Sequence, residues 1–207
     1  RRFHEHTMTP KFVHLRLHTD YSLVDGTVRI PDLIGRLREQ GMPAVALTDQ
    51  SNLFAMVKFY SAALAAGVKP IIGCDVLLRG EAPGEPPSPL VLLVQDDAGY
   101  ANLIRLVSRS YLEGQHGGQA TIERAWLAGA SEGLIALSGG PDGDVGRLWL
   151  AGKRERAMER LGEWMARFPG RFYLELQRTG REQEEAWIDG ALELASTMEC
   201  PAVATND

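Results

Sequence analysis

Short apolar runs, each stopping abruptly at a polar cluster, recur along this chain, and that recurrence limits its fold more than any single motif. Val13, Leu15 and Leu17 alternate with His14, Arg16 and His18, the period-two pattern of a strand, before the apolar residues give way to His18, Asp20 and Asp25. The figure returns at Ala44–Leu47 before Thr48-Asp49-Gln50-Ser51-Asn52, and at Pro70–Leu78 with Asp75 inside it. It returns again at Leu90–Val94 before Gln95-Asp96-Asp97, and at Leu134–Leu137 before Ser138-Gly139-Gly140. Phe172–Leu176 carries Glu175, and Pro201–Thr205 runs into Asn206-Asp207. Helical patterns lie between most of these runs. Ile30–Gln40 has Pro31 in its first turn and Gly41 at its end, and Leu53–Ala66 is closed by Gly67. Tyr100–Tyr111 and Arg181–Met198 also read as helices. Met158, Leu161, Trp164, Met165 and Phe168 share one helical face, with Glu155, Arg156, Glu159, Arg160 and Glu163 on the other.

Seven strands alternating mostly with helices predict an α/β fold with parallel strands buried on both faces. We read it as a distorted (β/α) barrel, with an open doubly wound sheet as the alternative. Neither G-x-G-x-x-G nor G-x-x-x-x-G-K-[ST] occurs, so the common nucleotide-binding versions lack support. The junction 81–89 is too proline-rich for a crossover helix, and parallel strands need a crossover of about a dozen residues. It reads as a mobile loop.

At 207 residues the chain is one domain with room for a substantial core, and a net charge of −5 argues against a basic nucleic-acid-binding module. Cys74 and Cys200 are too few for a disulfide framework and suit a reducing cytosol. No apolar run approaches the ~20 residues of a membrane span. Residues 1–7 precede Met8 and read as an expression leftover, so His4 and His6 carry no functional weight, and the domain is taken as 8–207.

Polar residues at strand ends are where barrel enzymes build their sites. His18, Asp20, Asp25, Asp49, Asp75, Asp96, Glu175 and Asp207 all sit in or just after strands, and carboxylates with imidazoles suit divalent cations. Solvent-facing strand ends also favour polar residues for no chemical reason. Asp49 and Asn52 equally suit a helix cap, Asp96 a turn, and His14 a place in its strand.

The segments 14–26, 46–55, 67–75, 99–103, 133–139, 172–180 and 203–207 together resemble the N-terminal PHP (polymerase and histidinol phosphatase) domain of bacterial DNA polymerase III alpha subunits. The resemblance implies a distorted seven-stranded (β/α) barrel, incomplete at its C-terminus here. It also implies a cluster of divalent ions with about nine ligands, several of which this sequence lacks. The family's His-x-His is Arg16-Leu17-His18, its Thr-Asp-His is Thr48-Asp49-Gln50, and its Ser-Gly-Cys is Ser138-Gly139-Gly140. A glutamate is shortened to Asp75, and a histidine position falls at Pro89. His18, Asp25, Asp75 and Asp207 remain.

A guanidinium at position 16 would repel a cation and pair with Asp25 or Asp75 instead. The expectation is a domain without its own metal or catalysis, which scaffolds a replicative polymerase and docks the proofreading exonuclease subunit. DNA and Mg belong to the polymerase as a whole. The alternatives are a residual Zn- or Mn-dependent phosphohydrolase, of pyrophosphatase or 3′–5′ exonuclease type, and a free-standing PHP phosphatase.

Overall fold

The apolar runs from Ala44 onward are strands of one curled sheet with helices on its outside. A computed structural model describes residues 12–22, 26–82 and 84–206. In chain order the elements are α1 (Ile30–Glu39), β1 (Ala44–Leu47), α2 (Met56–Ala65), β2 (Lys69–Leu78), β3 (Ser88–Val94) and α3 (Asp97–Leu112). They continue with β4 (Gln115–His116), β5 (Gln119–Ile122), β6 (Leu134–Leu137), α4 (Asp144–Leu150), α5 (Arg154–Arg167), β7 (Phe172–Gln177), α6 (Glu184–Met198) and β8 (Ala202–Thr205).

β1 pairs with β2, β6 with β7, and β7 with β8, all parallel. β3 is antiparallel to both β2 and β6, which corrects the expectation of a wholly parallel sheet. That reversal explains the proline-rich junction, because antiparallel neighbours need only a hairpin and no crossover helix. Nor does the hairpin hang free. Its Glu81 carboxylate accepts from Arg160 Nη2 at 2.8 and 3.0 Å and pairs with Arg124, fastening the turn to α5 and to residues 124–129. Arg160 is accordingly buried, although its helical position places it with the charged face.

Other departures have local causes. Residues 12–17 form no regular strand, yet His14 and Leu17 carbonyls accept from Ala46 and Thr48, so the segment lies along β1 as its outer edge. β4 and α4 are too short to leave a periodic signal, and β5 mixes Gln119 and Thr121 with Ala120 and Ile122, so it forms no apolar run.

α1 buries Ile30, Leu33, Ile34 and Leu37, the i, i+3, i+4, i+7 stripe its sequence predicts, against β1 and α2. A larger cluster joins the outer face of β2, β3, β6 and β7 to α3, α5 and α6 through Leu92, Leu103, Leu161, Trp164, Phe172 and Trp187. Gly99 lets the start of α3 touch the backbone before β6, since a Cβ there would lie 1.8 Å from the Gly133 carbonyl oxygen.

The sheet's inner face is graded. Its lower layer is apolar, with Leu15, Ile71, Leu93, Ile135, Tyr173 and Val203 around a cavity of about 560 Å³. Successive inward positions on one strand lie two residues apart. Ile71 therefore leads to Asp75, Tyr173 to Glu175, and Val203 to Thr205. Polar side chains thus collect toward the C-terminal ends of the parallel strands. Among the described residues no ladder joins β8 to residues 12–17, although Leu15 and Val203 face the same interior.

If Glu81 fastens the hairpin, Glu81→Ala should speed hydrogen exchange at the Glu81, Ala82 and Glu85 amides while those of Val76 and Val91 stay protected. The half-exposed carboxylate should contribute no more than about 1 kcal/mol to global stability. Unchanged exchange across the turn would show that the ion pairs do not hold it.

Candidate functional site

Arg16, Asp75 and Glu175 come from three separate strands' worth of chain and meet inside the curled sheet. Arg16 donates from Nε to Asp75 Oδ2 at 3.0 Å and from Nη2 to the same oxygen at 2.5 Å. Its Nη1 reaches Glu175 Oε2 at 3.4 Å. His18 Nε2 stands 3.2 Å from Asp75 Oδ2. Arg16 is 7% exposed, Asp75 1% and Glu175 0%, so the cluster is closed to bulk water.

Hydrogen bonds fix the carboxylates from behind. Thr205 Oγ1 donates to Glu175 Oε1 at 2.6 Å, Gln177 Nε2 reaches that oxygen at 3.4 Å, and Ser138 Oγ accepts from the Glu175 amide. The backbone of Asp75 is held between Thr48, Asp49 and Ser51. Burial is the strongest influence on the Asp75 carboxyl and opposes ionisation. The Arg16 charge and the His18 hydrogen bond outweigh it and hold the group below its ordinary 3.8.

The structure brings together only some of the residues singled out by sequence. Arg16, His18 and Asp75 meet, with Asp75 as the guanidinium's partner. Asp25 and Asp207 lie outside the described residues. Gln50 shares a backbone bridge with Asp75, and its amide donates to Ser22 Oγ. Gly140 adopts φ +62° beside Gln177, where a Cβ would come within 3.0 Å of Oε1.

Asp49 neither caps a helix nor joins the network. Its carboxylate accepts from the Thr19 amide and hydroxyl and from Ser22 Oγ, tying the turn at residues 20–22 to the end of β1. Asp96 caps α3 through the Gly99 amide, Asn52 Oδ1 accepts from the Phe54 amide, and Asp20 is exposed. Sequence reasoning placed Glu175 among the strand-end carboxylates but not among the ligand positions. Its signal was the inward register it shares with Tyr173 and Gln177, a single carboxylate on the buried face of an apolar strand.

The chain belongs to the PHP domain family, whose pattern matches residues 14–179. It is 50% identical over 200 residues to DNA polymerase III subunit alpha of Pseudomonas fluorescens, covering 97% of this chain and 17% of that protein. The chain therefore spans about one-sixth of the length of that relative. Its fold resembles an amidohydrolase from Chromobacterium violaceum with bound sulfate and no metal (TM-score 0.59, 16% identity, 94% and 86% of the two chains covered). It also resembles a candidate metal-dependent phosphoesterase from Bifidobacterium adolescentis (TM-score 0.54, 13% identity, 93% and 85% covered).

The described residues do not fit the divalent cluster that the family resemblance implies. The two innermost carboxylates share one fixed guanidinium, whose charge would repel a cation placed beside it. Gly140 brings no donor atom, and no group of three or more His, Cys, Asp or Glu among the described residues is arranged to hold a metal. Asp75 Oδ1 is buried with no donor among the described residues, a single oxygen beside a positive charge.

Removing the guanidinium takes its positive charge from beside two buried carboxylates, so Arg16→Ala should lower stability by about 3–5 kcal/mol. Urea unfolding of variant and parent measures this, and a loss no larger than that of an exposed Arg29→Ala would refute the buried network. Stability should also depend on acid. Because the folded Asp75 value lies below 3.8, its contribution is full above that pH and disappears as pH falls through the folded value. The gap between parent and Asp75→Asn should thus be widest near neutral pH and narrow below about pH 4. A gap independent of pH would mean that Asp75 is not ionised in the fold.

Proposed function

We propose that this chain is the PHP domain of a DNA polymerase III alpha subunit and serves the replicative polymerase as a non-catalytic scaffold that docks the proofreading exonuclease subunit. The observation that carries this reading is Arg16, whose guanidinium bonds Asp75 and Glu175 where the family resemblance puts a metal ligand. A fixed internal charge substitutes for an exchangeable cation and supports the frame without offering a Lewis acid or a polarised water. His18, Asp25, Asp75 and Asp207, which remain from the ligand set, become structural residues in this reading. Polymerisation, its Mg ions and contact with DNA belong to parts of the longer protein outside these residues.

Phosphohydrolysis is the reading to beat, because one structural neighbour is a candidate metal-dependent phosphoesterase and Asp75, His18 and Glu175 are still close together. For the scaffold, we expect less than one zinc or manganese ion per chain by elemental analysis after removal of residues 1–7. Titration with the exonuclease subunit in excess chelator should show binding. Pyrophosphate and phosphoester hydrolysis should not rise above that of a His18→Ala variant. Stoichiometric metal with hydrolysis lost in that variant would move the function to the phosphohydrolase, and absent binding would remove the docking role from this domain.

A further inference from the structure

Helix α2 is apolar on both sides. Phe59 and Ala63 face the core, as an outer helix requires, but its opposite face carries Val57 (68% exposed), Tyr60 (48%) and Leu64 (54%), with Phe54 (65%) just before it. Lys58 is the only charged residue among its ten. Helices α1 and α5 keep the usual division. α1 exposes Asp32, Arg36, Arg38 and Glu39, and α5 exposes Arg154, Glu155, Arg156, Glu159 and Glu163. Positions 57, 60 and 64 follow i, i+3, i+7, the spacing of a helix seam, and Ser61 and Ala65 beside them leave room for close approach.

The face continues into a groove of about 380 Å³ between α2 and α3, floored by Ile72 and Val94 and walled by Tyr100 with Asp96 and Asp97. Ile104, 39% exposed one turn further along α3, extends it. Contiguous apolar surface of this kind on a folded domain marks a contact.

We infer that this face and groove form an intramolecular interface, covered by an apolar segment of the same polypeptide from outside these 207 residues. The inference rests on reading the chain as one domain of a protein as long as its relatives. A relative 50% identical to it has 83% of its length outside the match, so much more polypeptide has to pack around such a domain. A contact that is permanent within one chain can be as apolar as a core. The face of α2 itself carries one charge, Lys58, with Asp96 and Asp97 confined to the far wall of the groove, and so little charge suits a contact that is never emptied.

Hydroxyl-radical footprinting of the full-length protein alone tests this, with Leu64 compared with two leucines of the same intrinsic reactivity, Leu112 (83% exposed) and Leu192 (51%). We expect Leu64 to be labelled several-fold less than either, with Phe54 and Tyr60 similarly protected at every protein concentration. The double variant Val57→Asp, Tyr60→Asp should restore labelling of Leu64 in the full chain. Leu64 labelled like Leu112 overturns the proposal. Protection that appears only with the exonuclease subunit added, or only at high concentration, also overturns it, by assigning the face to a second protein or a second copy. Protection that survives both aspartates overturns it too. None of these outcomes bears on metal content, and protection that needs the exonuclease subunit would overturn this inference while supporting the docking role, so the two readings fail separately.

Discussion

One guanidinium joins the beginning of this chain to its end. Arg16 belongs to the edge segment beside β1, Asp75 to β2 and Glu175 to β7, and their bonds cross the interior of the sheet. Opposite charges in such a place are expensive to desolvate and worth keeping only while each has its partner. The surroundings meet that condition. Thr205 and Gln177 serve one carboxylate, and His18 stands by the other. Because contributors come from both ends of the sheet, its curl and the pairing of its charges are one condition.

The grading of the inner face follows from the same condition. Below the charged layer, Ile71, Leu93, Ile135 and Tyr173 fill the sheet as an ordinary apolar core, while above it the hydroxyls of Thr19, Ser22 and Thr205 donate to carboxylates and that of Ser138 accepts from the Glu175 amide. Hydroxyls are suited to this layer. They donate to carboxylates without adding a charge, and they are short enough to fit where strands converge. Glu184 follows the same logic on the rim, gathering the amides of Thr179, Gly180 and Arg181, which holds its carboxyl below the usual range. The side chain's hydrogen bond from Thr179 is the largest of those influences.

Much of this was legible in the sequence because it depends on periodicity. Leu134–Leu137 begins and ends where the apolar run does, and the α1 stripe is fully readable from its spacing. What periodicity cannot express is direction and partnership. An apolar run such as Leu90–Val94 reads the same in a parallel or a reversed strand, and only the proline-rich junction before it hinted at a hairpin. Likewise Arg160 lies on the charged stripe of α5 yet is buried, because Glu81 reaches it from 79 residues away. Glu175 was legible as a strand-end carboxylate but not as a member of the network. Its inward register is local, whereas its partner Arg16 lies 159 residues earlier, which no local pattern expresses.

The network also sets what each of its members tolerates. Replacing Arg16 by a neutral side chain would remove the positive charge that Asp75 and Glu175 share, and the hydroxyl of Thr205 and the amide of Gln177 bring no charge to replace it. Gly140 answers a different demand: at φ +62°, with Gln177 against it, the backbone lies in a conformation that disfavours any side chain there. Charge pairing thus governs the interior of the site, and backbone conformation its edge.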